Sequence, residues 1–281
     1  MTTETQARQL EQVIYTKKDG VATIVMNNPR TLNALSRIMN DEMQWAFLDA
    51  ENDPDIRAII VSGAGERAFS SGADVTMMAE GQDRAAADRD AAARAGRVVD
   101  VPKPGSGSPL PQWIWRNIEK PIVAAVNGVC AGMGGVTALA ADIRIMSSTA
   151  RFAHVYERRG MVCSGETWFL PRYMGLGNAM YHILMADDTG PDEALRVGLV
   201  SKVVEPDKLM EEALAIAEHL RDGPQVATRW TKKVIRFGIW HNFFETMDLV
   251  GIARQLAGPS GENREGARSF VEKRKPAFYT R

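Results

Sequence analysis

The stretch Asn127-Gly128-Val129-Cys130-Ala131-Gly132-Met133-Gly134-Gly135 follows the apolar residues 122–126, where a buried strand is expected to lead into a helix. A turn of the same type, Ala68-Phe69-Ser70-Ser71-Gly72-Ala73-Asp74, follows the apolar residues 56–61. Small residues let a ligand approach the main chain, and a helix N-terminus offers unpaired N–H groups. Two such turns facing each other predict a site that holds one oxyanion between two amides, which favours acyl chemistry.

Composition narrows the classes of protein to consider. The chain has 281 residues, 45% of them hydrophobic, enough for one large domain or a core with a small appendage. The net charge of −1 predicts no nucleic-acid partner. No apolar stretch of membrane-spanning length and no signal peptide are found, and two cysteines fit a reducing cytoplasm, so we expect a cytoplasmic protein without a membrane partner. Four scattered histidines predict no metal site.

The order of elements predicts an α/β fold. Asp19-Gly20 separates two β-rich runs and is typical of a hairpin turn. Ser36 is expected to cap a helix that runs to about Ala50. Strands are predicted at 56–61, 122–126, 143–146 and 151–155, with a helix over 133–141. From residue 176 onward the chain is predicted to be mostly helical, with a short strand at 199–204.

Residues 79–117 differ in composition from their surroundings. Residues 82–97 are rich in Ala, Arg and Asp and favour a helix, and 101–111 form a Pro/Gly/Ser linker. Trp113 and Trp115 follow the linker. Two interpretations stay open: a surface insertion whose tryptophans anchor it, or a lid whose tryptophans line a pocket.

Five stretches carry a resemblance to a known family. They are Asn28-Pro29-Arg30-Thr31-Leu32-Asn33-Ala34-Leu35, the turn 68–74, Pro121-Ile122-Val123-Ala124-Ala125-Val126-Asn127-Gly128, Ala140-Ala141-Asp142-Ile143-Arg144, and Phe270-Val271-Glu272-Lys273-Arg274-Lys275-Pro276-Ala277-Phe278. In this order they resemble the crotonase (enoyl-CoA hydratase/isomerase) superfamily over nearly the whole chain. The resemblance implies a ββα spiral core over residues 1–204 and a helical C-terminal region over 205–281 that mediates trimer contacts. It also implies a homotrimer or a dimer of trimers.

The same resemblance implies the ligand and the residues that hold it. The substrate would be a coenzyme A thioester, with no permanently bound cofactor. The N–H groups of Ala73 and Met133 would polarise the thioester carbonyl and stabilise an enolate; the plain alternative is that both turns only pack a helix on a sheet. Coenzyme A contacts map to Arg30, Leu32, Ala34, Ser71, Asp74, Phe270 and Lys273. Phe270 would pack on adenine and Lys273 would pair with a phosphate, unless Lys273 is only a solvated charge.

The resemblance breaks at the acid/base residues. Hydratases of the family use two glutamates, and their positions fall on Val136 and Tyr156. Related isomerases and dehalogenases place an acid where this chain has Cys163. Valine has no proton to give, and an unperturbed tyrosine titrates about three units above neutrality. Isomerase or hydrolase chemistry is therefore favoured over simple hydration.

Three substitutes for the missing glutamates are considered. Glu166, at the start of an expected helix, is the preferred carboxylate, although such a residue often only complements the helix dipole. His154 and Tyr156 share strand parity, so a regular strand would turn both to one face as base and donor; a histidine there is also commonly a core residue. Cys163 is either an activated nucleophile or a small buried hydrophobe. Glu157 is expected to be a surface charge.

Two further functions stay open at this point. One is a CoA-independent hydrolase that cleaves a C–C bond of a cyclic β-diketone, keeping the amide pair and using His154. The other is a non-catalytic binding or scaffold protein that retains the fold. The missing glutamates favour the second, whereas the two complete glycine turns argue against it.

Overall fold

The fold is known from a computed structural model that describes residues 6–74 and 110–279. In that part of the chain the strands are β1 (Gln6–Gln9), β2 (Val13–Lys18), β3 (Val21–Met26), β4 (Ala58–Gly63), β5 (Ala68–Ser70), β6 (Ile122–Val126), β7 (Val129–Ala131), β8 (Ile143–Ser147), β9 (Arg151–Ala153) and β10 (Lys202–Val204). The helices are α1 (Arg37–Asn52), α2 (Leu110–Asn117), α3 (Gly132–Leu139), α4 (Glu166–Met174), α5 (Leu176–Met185), α6 (Pro191–Arg196), α7 (Leu209–Asp222), α8 (Gln225–Gly238), α9 (Phe243–Ala257) and α10 (Glu262–Val271).

The strands form two sheets whose order explains how the two turns meet. The larger sheet has the order β1-β2-β3-β4-β6-β8-β10 and is parallel from β3 onward. The smaller, β5-β7-β9, is parallel throughout. Each strand of the small sheet follows a strand of the large one, as β5 follows β4 and β7 follows β6. Successive turns of the spiral therefore stack the first glycine turn on the second.

Both faces of the large sheet are buried, which accounts for its continuous apolar strands. On one face Ile60, Val123 and Ile145 pack against α7. On the other face the alternate residues of the same strands join the main core with α1, α2 and α3. This mixed α/β architecture confirms the predicted fold class.

The N-terminal elements form where the sequence predicts them. Asp19 and Gly20 have φ of 49° and 79°, and these positive angles let two residues connect β2 to β3. The Ser36 side chain accepts a hydrogen bond from the Met39 N–H at 3.1 Å, which caps α1. Met39 and Phe47 on the inner face of α1 are fully buried.

The region 79–117 is described only from Leu110 onward. The predicted helix at 82–97 and the linker as far as residue 109 lie outside the described residues. Trp113 and Trp115 belong to α2 and pack partly buried against the core, with the Trp115 ring centroid 5.2 Å from that of Trp168. The tryptophans therefore anchor the end of this region to the core, and the role of the rest as a lid stays a prediction.

The C-terminal region is helical, as predicted. Asp142, at the end of the second spiral turn, ties α8 to the core because it accepts hydrogen bonds from Lys232 at 2.7 Å and Arg236 at 3.1 Å. Burial lowers the pKa of Lys232 to about 8 in spite of this carboxylate. The division at residue 204 and the trimer contacts of this region stay predictions. No described helix combines the length and the apolar character that crossing a bilayer requires.

Candidate active site

The first glycine turn is held in place by two asparagine side chains. The Asn33 Nδ2 donates to the carbonyl of Ala68 at 2.9 Å, and Asn127 Nδ2 donates to the same oxygen at 3.1 Å. The Leu35 N–H donates to the Gly72 carbonyl at 2.8 Å, which fixes the turn just before Ala73. Within the described residues, the Ala73 N–H has no main-chain acceptor. Within that part of the chain, the amide is therefore open to a ligand.

The second turn brings another amide beside the first. Gly132 has a φ of +49°, and Met133 follows it in the first turn of α3, where an N–H has no acceptor within the helix. Gly72 has a φ of +94°, and a Cβ built on it would lie 2.8 Å from the Ala131 carbonyl oxygen and 3.3 Å from the Met133 nitrogen. The turns therefore touch through their main chains, and only glycine fits at position 72.

One cavity of about 260 Å³ opens between the two turns. Its lining joins main chain from both turns to side chains from the segment after β9. The residues are Ser71, Gly72, Ala73, Gly132, Met133, Val155, Tyr156, Arg159, Met161, Val162 and Ser164. The structure thus brings Ala73, Met133, Tyr156 and Ser71 together in the lining of one cavity. A larger cavity of about 330 Å³ lies elsewhere, between the core and α8, and contains neither turn.

Tyr156 carries the phenol of this cavity. Its hydroxyl lies 3.0 Å from the Ser164 Oγ, and Ser164 in turn lies 3.5 Å from the Met133 sulfur. Burial raises the pKa of Tyr156 to about 12, and the hydrogen bond with Ser164 opposes this shift. Tyr156 is therefore a neutral hydrogen-bond donor near pH 7 and not a base.

Glu166 lies behind the cavity wall, buried to 2% exposure. Its Oε2 is 3.2 Å from His154 Nδ1 and accepts from the Cys163 thiol at 3.4 Å. Its Oε1 lies over Gly135, 3.3 Å from where a Cβ on that glycine would be, so the missing side chain makes room for the carboxylate. Gly135 is two residues beyond Met133 in α3, so the Glu166 carboxylate contacts the same helix turn that carries Met133, although Glu166 does not line the cavity.

One expectation for this segment, a strand over 151–155, is wrong, and of the two alternatives left open for Cys163 the small buried residue is favoured. β9 ends at Ala153, so strand alternation does not extend through Tyr156, which stands at the start of the 3₁₀ turn Glu157–Arg159. Tyr156 lines the cavity, whereas His154 is 1% exposed and is turned toward Glu166 and Thr189. Cys163 is not an activated nucleophile, because burial and the adjacent Glu166 carboxylate raise the pKa of its thiol.

Val136 shows what fills the place of a hydratase glutamate. It is fully buried in α3 and faces Gly165, where an added Cβ would overlap its methyl groups. The interhelical contact of α3 and α4 therefore depends on an apolar residue against a glycine. No carboxylate can enter this position without burying a charge.

The residues expected to contact coenzyme A divide into two groups. The loop of Arg30, Leu32 and Ala34 lies beside the first turn, since the Ser71 N–H donates to the Leu32 carbonyl at 2.9 Å. Asp74 ends the described part of that turn. Phe270 and Lys273 lie at the end of α10, apart from the cavity lining, with Phe270 86% exposed. Within this single chain, the loop of the first group therefore lies next to the site, whereas Phe270 and Lys273 lie outside it.

Known proteins that are similar to this chain show which family it belongs to. The model of the enoyl-CoA hydratase/isomerase family matches residues 16–104 and 111–281. The chain belongs to the enoyl-CoA hydratase/isomerase family, within the crotonase superfamily. It is 34% identical over 271 residues to a short-chain-enoyl-CoA hydratase of Clostridium acetobutylicum, covering 95% of this chain and 97% of the relative. The 1,2-epoxyphenylacetyl-CoA isomerase of Escherichia coli is 30% identical over 271 residues, covering 96% and 98%.

A solved structure extends this family relationship to the fold. A putative enoyl-CoA hydratase/isomerase from Mycobacterium abscessus superimposes with a TM-score of 0.82 at 30% identity, covering 96% of this chain and 100% of that chain. Family membership makes this chain an enzyme of the enoyl-CoA hydratase/isomerase type. The relatives named here include both a hydratase and an isomerase, so the reaction must be argued from the site.

Sequence reasoning missed two kinds of residue at the site. Asn33 and Asn127 stand inside the matching stretches, and their place in the sequence near the glycine turns was a usable signal for a positioning role. Thr189 and His182 contact the His154 side of the site from distant elements. No local pattern marks either of them, since their proximity comes only from the fold.

Proposed function

We propose that this protein isomerises the double bond of an enoyl-CoA thioester through an enolate. The observation that carries the proposal is one cavity in which the Ala73 and Met133 amides meet the Tyr156 hydroxyl, with the Glu166 carboxylate behind its wall. The amides hold the thioester oxygen as it gains negative charge. Hydrogen-bond donors aimed at a developing oxyanion commonly supply the largest part of such catalysis.

Glu166 is the group we assign to proton transfer. The Glu166 carboxylate removes a proton from the carbon next to one end of the double bond, and the resulting carboxylic acid returns it to the other end. The Cys163 thiol donates a hydrogen bond to this carboxylate, and His154 Nδ1 lies within hydrogen-bonding distance of it. Tyr156 stays neutral and donates toward the acyl group, as its raised pKa requires.

One carboxylate is sufficient for isomerisation but not for the hydration mechanism of the family. Hydration places two acids around one water, and their positions hold Val136 and Tyr156. Val136 is sealed against Gly165, and Tyr156 has no negative charge near neutrality. This asymmetry supports an isomerase over a hydratase. Thioester hydrolysis would use the same amides and carboxylate, but it needs an ordered water beside Glu166.

The β-diketone alternative finds no support in the position of its base. It requires a free ring nitrogen of His154 at the substrate, and both ring nitrogens of His154 lie within hydrogen-bonding distance of other side chains, Glu166 and Thr189. A binding-only protein would not need a buried carboxylate near a cavity lined by two glycine turns.

The decisive test is to separate the two reactions on matched substrates. We expect purified protein to convert 3-enoyl-CoA thioesters to the 2-enoyl isomers faster than it hydrates the 2-enoyl thioesters, as followed by liquid chromatography of the products. Faster hydration would refute the proposal. A Glu166→Gln variant is expected to lose about 10²–10⁴ of the isomerase rate, the range of general acid–base catalysis.

Glu157→Gln is the matched control for that variant. Glu157 stands next to Tyr156 in sequence, but it takes no part in the contacts that hold Glu166 to His154 and Cys163, so its loss should leave the rate within about threefold of the parent, less than one general acid or base contributes. If both variants kept full activity, Glu166 would not be the proton carrier.

A further inference from the structure

A chain of hydrogen-bonding side chains leads from Glu166 away from the cavity. Glu166 Oε2 lies 3.2 Å from His154 Nδ1, and the other ring nitrogen, Nε2, lies 3.0 Å from the Thr189 hydroxyl. All three side chains are buried, with exposures of 2%, 1% and 0% for Glu166, His154 and Thr189. Each group can both take up and release a proton.

The chain continues until it reaches solvent. The Thr189 hydroxyl lies 3.3 Å from His182 Nδ1, and His182 Nε2 lies 3.4 Å from Glu193 Oε1. His182 is 5% exposed, whereas the side chain of Glu193 is 34% exposed. The buried carboxylate at one end is thus linked to a carboxylate in water at the other.

We propose that these side chains form a proton relay that connects Glu166 with solvent. The inference rests on the proposed function, in which Glu166 takes a proton from the substrate. A protonated Glu166 passes a proton to His154 Nδ1, and His154 passes its Nε2 proton to Thr189. Thr189 passes its hydroxyl proton to His182 Nδ1, and His182 releases its Nε2 proton to Glu193.

These four transfers together form one concerted shift, which moves one net proton from Glu166 to Glu193. Each bond to hydrogen that breaks is matched by one that forms. Both imidazoles change tautomer and stay neutral, and Thr189 remains a hydroxyl. Glu193 then gives the proton to water. The reverse shift delivers a solvent proton to Glu166 and restores the original tautomers, so removal and return of a substrate proton leave the relay unchanged.

The fold holds each member of the relay in position. The main chain of Thr189 forms an antiparallel bridge with Phe152, with N–O distances of 2.8 and 3.0 Å, two residues before His154. His182 and Glu193 project from α5 and α6 on either side of Thr189. Arg196 donates to both oxygens of Glu193 at 2.6 Å and lowers the pKa of this carboxylate, so Glu193 is ionised and passes a proton on to water instead of keeping it.

A bound substrate makes such a path useful. Glu166 has almost no exposed surface, and an acyl group in the cavity would cover the face next to Met133 and Tyr156. Without another route, the proton on Glu166 could only return to the substrate. Cys163 does not offer that route, because its raised pKa keeps the thiol protonated and it donates to Glu166 alone among the described residues.

The test measures exchange with solvent separately from turnover. Butyryl-CoA has α-hydrogens but no double bond to move, so an enolate formed in D₂O shows itself only as deuterium at the α-carbon, read by mass spectrometry. Thr189→Val removes the hydroxyl and keeps the shape and the main-chain bridge. We expect it to slow exchange by at least about tenfold, since proton transfer by a positioned side chain contributes 10² or more.

Thr189→Ser keeps the hydroxyl and should exchange within about threefold of the parent, since a positioned hydroxyl still transfers the proton.

At the far end of the relay, Glu193→Gln cannot accept the proton and should slow exchange severalfold. Its matched control is Glu212→Gln, which breaks the Lys202–Glu212 ion pair at a similar exposure of 29%. Equal exchange in Thr189→Val and Thr189→Ser, or in the two glutamine variants, would overturn the relay.

A second readout distinguishes a relay from simple support of His154. In isomerisation of a deuterated 3-enoyl-CoA, the relay competes with internal return of the label. Thr189→Val should therefore raise the fraction of label retained in the product, whereas a purely supporting role would lower the rate and leave that fraction unchanged.

Glu166→Gln tests the proposed function by itself: if this variant exchanges at the parent rate, Glu166 is not the proton carrier. If only Glu166→Gln slows exchange, the carrier stands and the relay fails.

Discussion

The two walls of the cavity differ in what their chemistry requires. In the proposed mechanism, the amide wall of Ala73 and Met133 works through main-chain N–H groups, which every residue except proline possesses. The opposite wall, with Tyr156, would work through side chains, and the positions that the family resemblance assigns to the two hydratase glutamates hold Val136 and Tyr156. A site made of main-chain N–H groups tolerates substitution as long as its turns keep their conformation, whereas a site made of side chains can change with one substitution. Family membership therefore predicts the first wall much better than the second.

Among the changes that test this comparison of the two walls, the largest effect is expected from removing an amide. Ala73→Pro deletes one donor without touching the bond from Leu35 to Gly72. We expect a loss of about 10²–10³ in the rate of enoyl-CoA turnover, the usual effect of losing one oxyanion donor. The measurement is steady-state kinetics with circular dichroism to confirm the fold.

Ala73→Gly is the control, because glycine keeps the N–H. Met133→Pro removes the second donor at a place where the first turn of a helix tolerates proline. Parent-like turnover in folded Ala73→Pro and Met133→Pro would show that the two walls do not differ as argued.

A smaller effect is expected at the contact between Val136 and Gly165. Gly165→Ala places a methyl group into the Val136 side chain, and overpacking of this kind costs about 1–3 kcal/mol of the unfolding free energy. Urea unfolding should show this loss, and Val136→Ala should relieve part of it in the double variant.

Gly177→Ala is the control for the added methyl group. Gly177 lies in α5 with nothing within 4 Å of an added Cβ, so alanine there should be neutral or slightly stabilising. If the Gly165 and Gly177 variants are equally stable, Val136 does not fill the space of the missing acid.

The burial of Tyr156 should make the folded protein lose stability at alkaline pH. Because burial raises its pKa to about 12, the folded protein keeps the proton that the unfolded chain releases near pH 10. Stability is therefore unaffected below pH 10 and falls between about pH 10 and 12, by up to about 1.4 kcal/mol per pH unit from this residue.

Tyr156→Phe should have a shallower decline over that interval than the parent. The comparison must be between these two proteins, since burial also raises the pKa of Tyr15 and Tyr173. Parallel curves would place the Tyr156 phenol in water and remove the argument for a neutral donor.

The smallest effect is expected at the Met133 side chain. Met133→Ala keeps the amide and loses only the contact of its sulfur with Ser164. Turnover of a short substrate should stay within about threefold of the parent, far from the loss of a whole oxyanion donor, and a bulkier acyl group should gain in relative kcat/KM. A loss as large as that of Ala73→Pro would mean that the side chain contributes directly to the reaction.

Much of the fold was predictable because local chemistry and pattern agree. Ser36 caps α1, Asp19-Gly20 turns the hairpin, and residues 122–126 form the strand expected from their apolar run. The site was predictable where a glycine motif fixes the main chain. The parity argument for His154 and Tyr156 was wrong because β9 ends at Ala153, and pattern alone places a strand end poorly.

The amino-acid sequence by itself determined the family, the α/β fold class and the place of the two glycine turns, because glycines and short apolar runs act within a few residues of themselves. Only the tertiary structure decided that Tyr156 lines the cavity while His154 faces Glu166, and that Thr189 and His182 extend that contact toward solvent. Such contacts join residues far apart along the chain. Their distances depend on how the strands and helices pack, which no local stretch of sequence records.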